Sequence, residues 1–149
     1  MEKVENLGGF NCGTIVVAGF PGIGKSFLKD IGGDRVADLH HKNFDRDSFP
    51  ENCVDYVQSL LGKAEIILTS THRDVLMELE RVGIDYILVY PDKSLKNEYL
   101  DRYKKSTYKD SLNRKWELFM KNMEGANPAK RIILKSGEYL KDKLNLLYL

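Results

Sequence analysis

At 149 residues, with 42% hydrophobic and 30% charged positions, the chain is the size of one domain (1–149) and its composition excludes a disordered polymer. A net charge of +1 implies no broad basic face for duplex nucleic acid, leaving only local basic clusters open. The longest apolar runs, such as Ile15–Ala18 and Ile66–Leu68, are too short to span a bilayer. Met1–Leu7 carries no signal-peptide pattern, and Cys12 and Cys53 lack metal-ligand spacing, so a reducing cytoplasm and no membrane partner are expected.

No repeat or low-complexity linker interrupts the chain, and apolar stretches alternate with longer amphipathic ones, the pattern of a parallel sheet covered by helices. The first strand is Thr14 to Gly19, apolar throughout as a strand buried on both faces should be. Gly22 and Gly24 follow, then a short helix from Lys25 to about Ile31, ended by Gly32-Gly33. A second strand spans Arg35 to Leu39, and His40 to Phe49 is polar and irregular. Ser48 and Glu51 make a capping-box pattern around Pro50, and the helix behind it aligns Val54, Val57 and Leu61 before stopping at Gly62.

Strand three is Glu65 to Ser70. Thr71 and Asp74 form another capping box, with Val75, Leu79 and Val82 on one helical face up to Gly83. Strand four is Asp85 to Tyr90, closed by Pro91, and Ser94 opens a highly charged helix to about Lys105. A break at Ser106 to Asp110 precedes a helix carrying Leu112, Trp116, Phe119, Met120 and Met123, a stripe read as core. Gly125 and Pro128 end it. Arg131 to Leu134 is strand five, and Ser136 caps a last helix with Leu140, Leu144 and Leu147 inward.

One motif carries chemistry. Gly19-Phe20-Pro21-Gly22-Ile23-Gly24-Lys25-Ser26 matches G-x-x-x-x-G-K-[ST], the P-loop pattern, between a buried strand and a helix as that motif requires. Its glycines let backbone N–H groups turn inward around a phosphate, and the helix from Lys25 aims its positive end at the same anion. Lys25 is expected to reach the β- and γ-phosphates of ATP, and the Ser26 hydroxyl to ligate Mg²⁺. The expected ATP contacts are Gly19, Pro21, Gly22, Ile23, Gly24, Lys25, Ser26 and Phe27.

The rest of the chain narrows the reaction. Ile66-Ile67-Leu68 runs into Thr69-Ser70-Thr71-His72 without an acid, which argues against a motor ATPase, and no N-K-x-D sequence is present to read guanine. Arg102, Lys104, Lys105, Lys109, Arg114 and Lys115, with Glu98 and Asp101, crowd around the break at 106–110. Beside a P-loop, this charged stretch (about 93–115) reads as a short helical lid closing over the triphosphate, its plain alternative being a solvated helix.

The chain resembles the small P-loop kinases that include the nucleoside monophosphate kinases, and more closely the compact adenylate-kinase-like proteins of bacteriophages. The residues are the P-loop, Phe49-Pro50-Glu51-Asn52 leading to Tyr56, Thr69 to Val75, Leu88-Val89-Tyr90-Pro91, and Lys96 to Tyr103 with Trp116 beyond. The resemblance covers nearly the whole chain, but only the P-loop is a specific motif. It implies a three-layer α/β P-loop NTPase fold with a five-stranded parallel sheet of order 2-3-1-4-5, an acceptor-binding region after strand two, a lid after strand four, and, for a phage protein, the host cytoplasm. Two departures stand out: Asp38-Leu39-His40 replaces the D-x-D that many such kinases carry, and no Arg-Gly pair follows Arg102.

The expected activity is an ATP-dependent phosphotransfer to a small nucleotide acceptor, most simply a (deoxy)nucleoside monophosphate. Lys25, Asp38, Arg73, Arg102 and Arg114 are the candidate catalytic residues, and Ser26 and Asp38 the metal candidates. Asp38 would hold a Mg²⁺-bound water or orient the acceptor, or else only cap its strand. Arg73 would fork an acceptor phosphate, or pair with Asp74 or Glu78 on its own helix. His40, His41 and His72 make no zinc site by themselves. A polynucleotide or modified-base DNA/RNA kinase stands second, with Tyr99, Tyr103 and Tyr108 among lysines as a possible strand groove. A non-catalytic ATP-binding module stands third.

Overall fold

The computed structural model describes residues 11–104, 106 and 108–144, with His41 and Tyr108 described by their backbone alone. The expectations for Met1–Leu7, Lys105 and Leu147, and for the side chains of His41 and Tyr108, lie outside the described residues.

Five strands form one parallel sheet: β1 (Ile15–Gly19), β2 (Val36–Asp38), β3 (Ile66–Thr69), β4 (Ile87–Pro91) and β5 (Lys130–Leu134), in the order β2-β3-β1-β4-β5. The expected order 2-3-1-4-5 is therefore observed. Five α-helices accompany them among the described residues: α1 (Lys25–Gly32), α2 (Glu51–Leu60), α3 (Arg73–Val82), α4 (Lys96–Arg102) and α5 (Tyr108–Gly125). The crossover from β1 to β2 runs toward one edge, and the later crossovers run back toward the other. Right-handed connection then puts α1 on the face opposite α2, α3 and α5. The contacts agree: α2 packs beside α3, whereas α1 meets the turn at Leu140–Lys143.

The central strands are β1 and β4, and both are buried along their whole length, which is why they read as unbroken apolar runs. Register fixes the functional edge. Ala18 pairs with Thr69 and Asp38 with Leu68, so Gly19 and Asp38 end their strands on the two sides of β3, at the same edge of the sheet. The expected stripe on α5 is core: Leu112, Trp116, Met120 and Met123 are buried, and Phe119 packs against them.

Several predicted helix starts shift. Glu51 opens α2 behind Pro50, with no side-chain cap, and Ser48 instead sits in a 3₁₀ turn (Arg46–Ser48) capped by Asp45. The α3 cap is His72 rather than Thr71: its ring Nδ1 accepts from the Asp74 N–H at 3.1 Å. Asp92, not Ser94, caps the next segment, which begins as a 3₁₀ turn (Lys93–Leu95) before α4. Short polar residues cluster at all three sites, and strand exit direction decides which one meets the free N–H groups. Strand four starts two residues later than expected and includes Pro91, whose missing N–H costs nothing at a strand end. In place of a last helix capped by Ser136, the chain makes a 3₁₀ turn at Leu140–Lys143 behind Tyr139.

Candidate functional site: the glycine loop and the ends of β1 and β2

Residues 20–24 connect β1 to α1. Gly22 (φ 93°) and Gly24 (φ 95°) hold left-handed conformations that side chains resist, and Gly24 is itself the N-cap of α1 with no side-chain cap. Gly19 has a second reason to be glycine: a Cβ there would stand 2.6 Å from Ile23 Cδ1. Ile23 is fully buried, so any ligand contact it makes is through its backbone. Its carbonyl accepts from the Leu140 N–H at 2.8 Å. In a trans peptide the C=O and N–H point oppositely, so the Gly24 N–H turns away from Leu140 and into the loop. With no acid in the first turn of α1, the free N–H groups and the helix dipole leave a positive concavity suited to an anion.

Lys25 and Asp38 close this concavity. The Lys25 ammonium donates to the Gly19 carbonyl at 2.9 Å. Burial pulls its pKa below the usual lysine range, and the Asp38 carboxylate, near enough for its charge to be felt, opposes that fall. The Asp38 side chain is only 10% exposed. Its Oδ2 lies 3.7 Å from His40 Nε2, while Oδ1 is buried without a hydrogen-bond partner. A strand cap would have satisfied that oxygen, so the capping role is not what the structure displays. Buried unpaired carboxylate oxygens are rare because their desolvation is uncompensated.

Arg102 departs most from expectation. A lid arginine should reach outward, but this side chain is 12% exposed and clipped to the glycine loop. It donates to the Gly22 carbonyl at 2.7 Å, to Glu98 Oε2 at 3.1 Å and to the Glu138 carbonyl at 3.2 Å. Its guanidinium lies between the rings of Tyr99 (4.3 Å) and Tyr139 (3.9 Å). Glu98 is held in turn by the Ser136 hydroxyl (2.6 Å) and the Gly137 N–H (2.9 Å), which keep its carboxyl below the usual glutamate range. Ser136 thus serves α4 instead of capping a helix.

The expected groove of Tyr99 and Tyr103 is not there either. Tyr99 is fully buried against Phe20 and Trp116, its phenol pushed up to about 12 by burial, and both tyrosines press on Gly22. Amphipathic spacing showed which α4 residues share a face, but not that this face covers the loop. Glu98 was read as one charge among many, and Tyr139, Glu138 and Leu140 were missed. Their only sequence signal is position, just after the last strand.

The remaining candidates scatter. Ser26 and Phe27 are exposed on α1, and Pro21 is half-buried. Arg73 does not pair with Glu78, which binds Arg81 instead at 2.6 Å. It lines a groove between α3 and α5 with Met77, Glu80 and Lys121, away from the glycine loop. Arg114 is exposed on α5. Among the described residues no group of three His, Cys, Asp or Glu could hold a metal ion, and no helix is long and apolar enough to cross a membrane.

Comparison of the chain with protein-family models and with curated proteins finds no match.

Proposed function

We propose that the chain is an ATP-dependent phosphotransferase of the P-loop kinase kind, with a nucleotide-sized or nucleoside-sized acceptor. The observation that carries this reading is the pairing of a positive glycine loop and its buried lysine with the orphaned carboxylate of Asp38, at one edge of a parallel sheet. Ligands in such sheets bind outside the carboxyl ends of the strands.

In this reading the triphosphate of ATP takes the N–H groups of Gly24, Lys25 and Ser26, and Lys25 exchanges the Gly19 carbonyl for phosphate oxygens. Partial desolvation makes its charge count for more there. The residues fit a hard cation held mainly by substrate oxygens and water: Ser26 offers one hydroxyl, and a dedicated protein cage is not needed. Mg²⁺, when bound, would spread the charge of the β- and γ-phosphates. Asp38 supplies the one carboxylate of the site, to a metal-bound water or to the acceptor. Arg102 positions the loop by holding the Gly22 carbonyl outward, and Arg114 and Lys115 remain the lid cations. The polynucleotide reading loses the tyrosine groove that favoured it.

The test is a screen with γ-labelled ATP against nucleosides, all ribo- and deoxynucleoside monophosphates, and oligonucleotides with free 5′-hydroxyls. Label moving from ATP to any of them supports the reading. ATP binding without transfer to any acceptor means a nucleotide-binding module instead.

A further inference from the structure

We propose that the acceptor is an uncharged alcohol on a flat ring system, a nucleoside rather than a nucleotide, and that Asp38 takes its hydroxyl proton. This rests on the phosphotransferase reading and names the substrate class of the same site.

Four observations point the same way. The buried Oδ1 of Asp38 needs a hydrogen-bond donor. A hydroxyl is one. The phosphate of a nucleotide offers acceptor oxygens and negative charge, so it would add repulsion to an oxygen already unpaired. Next, the segment after β2 that frames the acceptor side is acidic: Asp45, Asp47, Glu51 and Asp55 join Asp38, against Lys42 and Arg46. Third, Arg73, the one arginine placed by sequence to fork an acceptor phosphate, lines the α3–α5 groove instead. Last, the same segment presents aromatic rings. Phe49 stands edge-on to His72 at 5.1 Å, tying it to the end of β3, and Phe44 meets the exposed ring of Tyr56 at 6.1 Å. Such rings suit a planar, neutral base.

The step balances without a further reactant. The alcohol oxygen bonds to the γ-phosphorus as the bond from that phosphorus to the β,γ-bridging oxygen breaks. ADP leaves with that electron pair, and the alcohol's proton passes to Asp38 Oδ1 and then to water.

Wild-type protein is assayed with nucleosides, the matching monophosphates and 5′-hydroxyl oligonucleotides, and Asp38→Asn and Asp38→Glu with the preferred acceptor over a Mg²⁺ titration. Nucleosides should exceed monophosphates in kcat/KM by about tenfold or more. Asp38→Asn should lower kcat about 10²- to 10⁴-fold, with the KM for ATP and the half-saturating Mg²⁺ unchanged, and Asp38→Glu should recover part of the rate. Preference for monophosphates or for strands overturns the inference and leaves the kinase reading standing. So does an Asp38→Asn defect that excess Mg²⁺ repairs, which would make Asp38 a metal-water holder. No transfer to any acceptor sinks both.

Discussion

The two sides of the β1 strand end are built differently. On the α4 side the glycine loop is clamped: Arg102 holds Gly22, Leu140 holds Ile23, and Tyr99, Tyr103 and Tyr139 crowd the glycines. On the β2 side the chain runs through two 3₁₀ turns of mostly exposed, acidic residues before α2. The first arrangement suits a group that is the same at every turnover, a triphosphate. The second suits a group whose fit must be chosen. Rigidity at one partner and openness at the other is what a transfer between a fixed donor and a selected acceptor needs.

Lys25→Ala should break the clamped side at its chemistry without breaking its frame. Transfer should fall at least about 10³-fold. The melting temperature should move by no more than about 2 °C, because burial already penalises the charge being removed. Unchanged turnover would take the loop out of the mechanism.

Arg102→Ala should do the reverse. It leaves Glu98 facing Ser136 and Gly137 without its cation and frees the Gly22 carbonyl. A loss of about 3 kcal/mol in unfolding free energy is expected from denaturant titration, with the KM for ATP rising more than kcat falls. A stable variant that fails only in kcat would return Arg102 to the lid. Arg114→Ala, by contrast, should stay within about 0.5 kcal/mol of wild type.

On the open side, Arg73→Ala sharpens the comparison. If the acceptor carries no phosphate, its KM should change less than about threefold, whereas a tenfold rise in acceptor KM alone would mark a phosphate fork.

The smallest effect is a pH dependence. Glu98 has a folded pKa below its ordinary 4.5, through the Gly137 N–H first, then Ser136 and Arg102. A depressed carboxyl contributes stability that is present above the unfolded value and lost as pH falls through the folded one. The melting temperature should therefore drop below about pH 4.5, and less steeply in Glu98→Gln. Equal slopes would show that Glu138, Glu78 and Asp92, also depressed, carry the effect alone.

Much of the clamped side was legible because it is local. Apolar runs gave the strands, and glycine spacing gave the loop with Lys25 and Ser26 in register. Strand-end position singled out Asp38. What stayed hidden depends on residues far apart in the chain. Arg102 was read as a free lid cation since nothing near it in sequence shows that Tyr139 and Glu138 return to enclose it. Arg73 was placed by its strand end, but side-chain direction sent it to α5. The caps failed for a smaller reason: where Ser, Thr, His and Asp are neighbours, composition does not say which one faces the open N–H groups.

The bond between Leu140 and Ile23 has a consequence for how the protein comes into being. During synthesis the glycine loop leaves the ribosome long before the residues that fasten it. A nascent chain that has reached Leu134 already holds every strand of the sheet, yet Glu138, Tyr139 and Leu140 are still to be added. Contacts of such long sequence separation form late. The anion-binding loop should therefore acquire its final shape only when translation has passed residue 140, so that chains aborted before that point would carry the motif in full and still grip phosphate poorly.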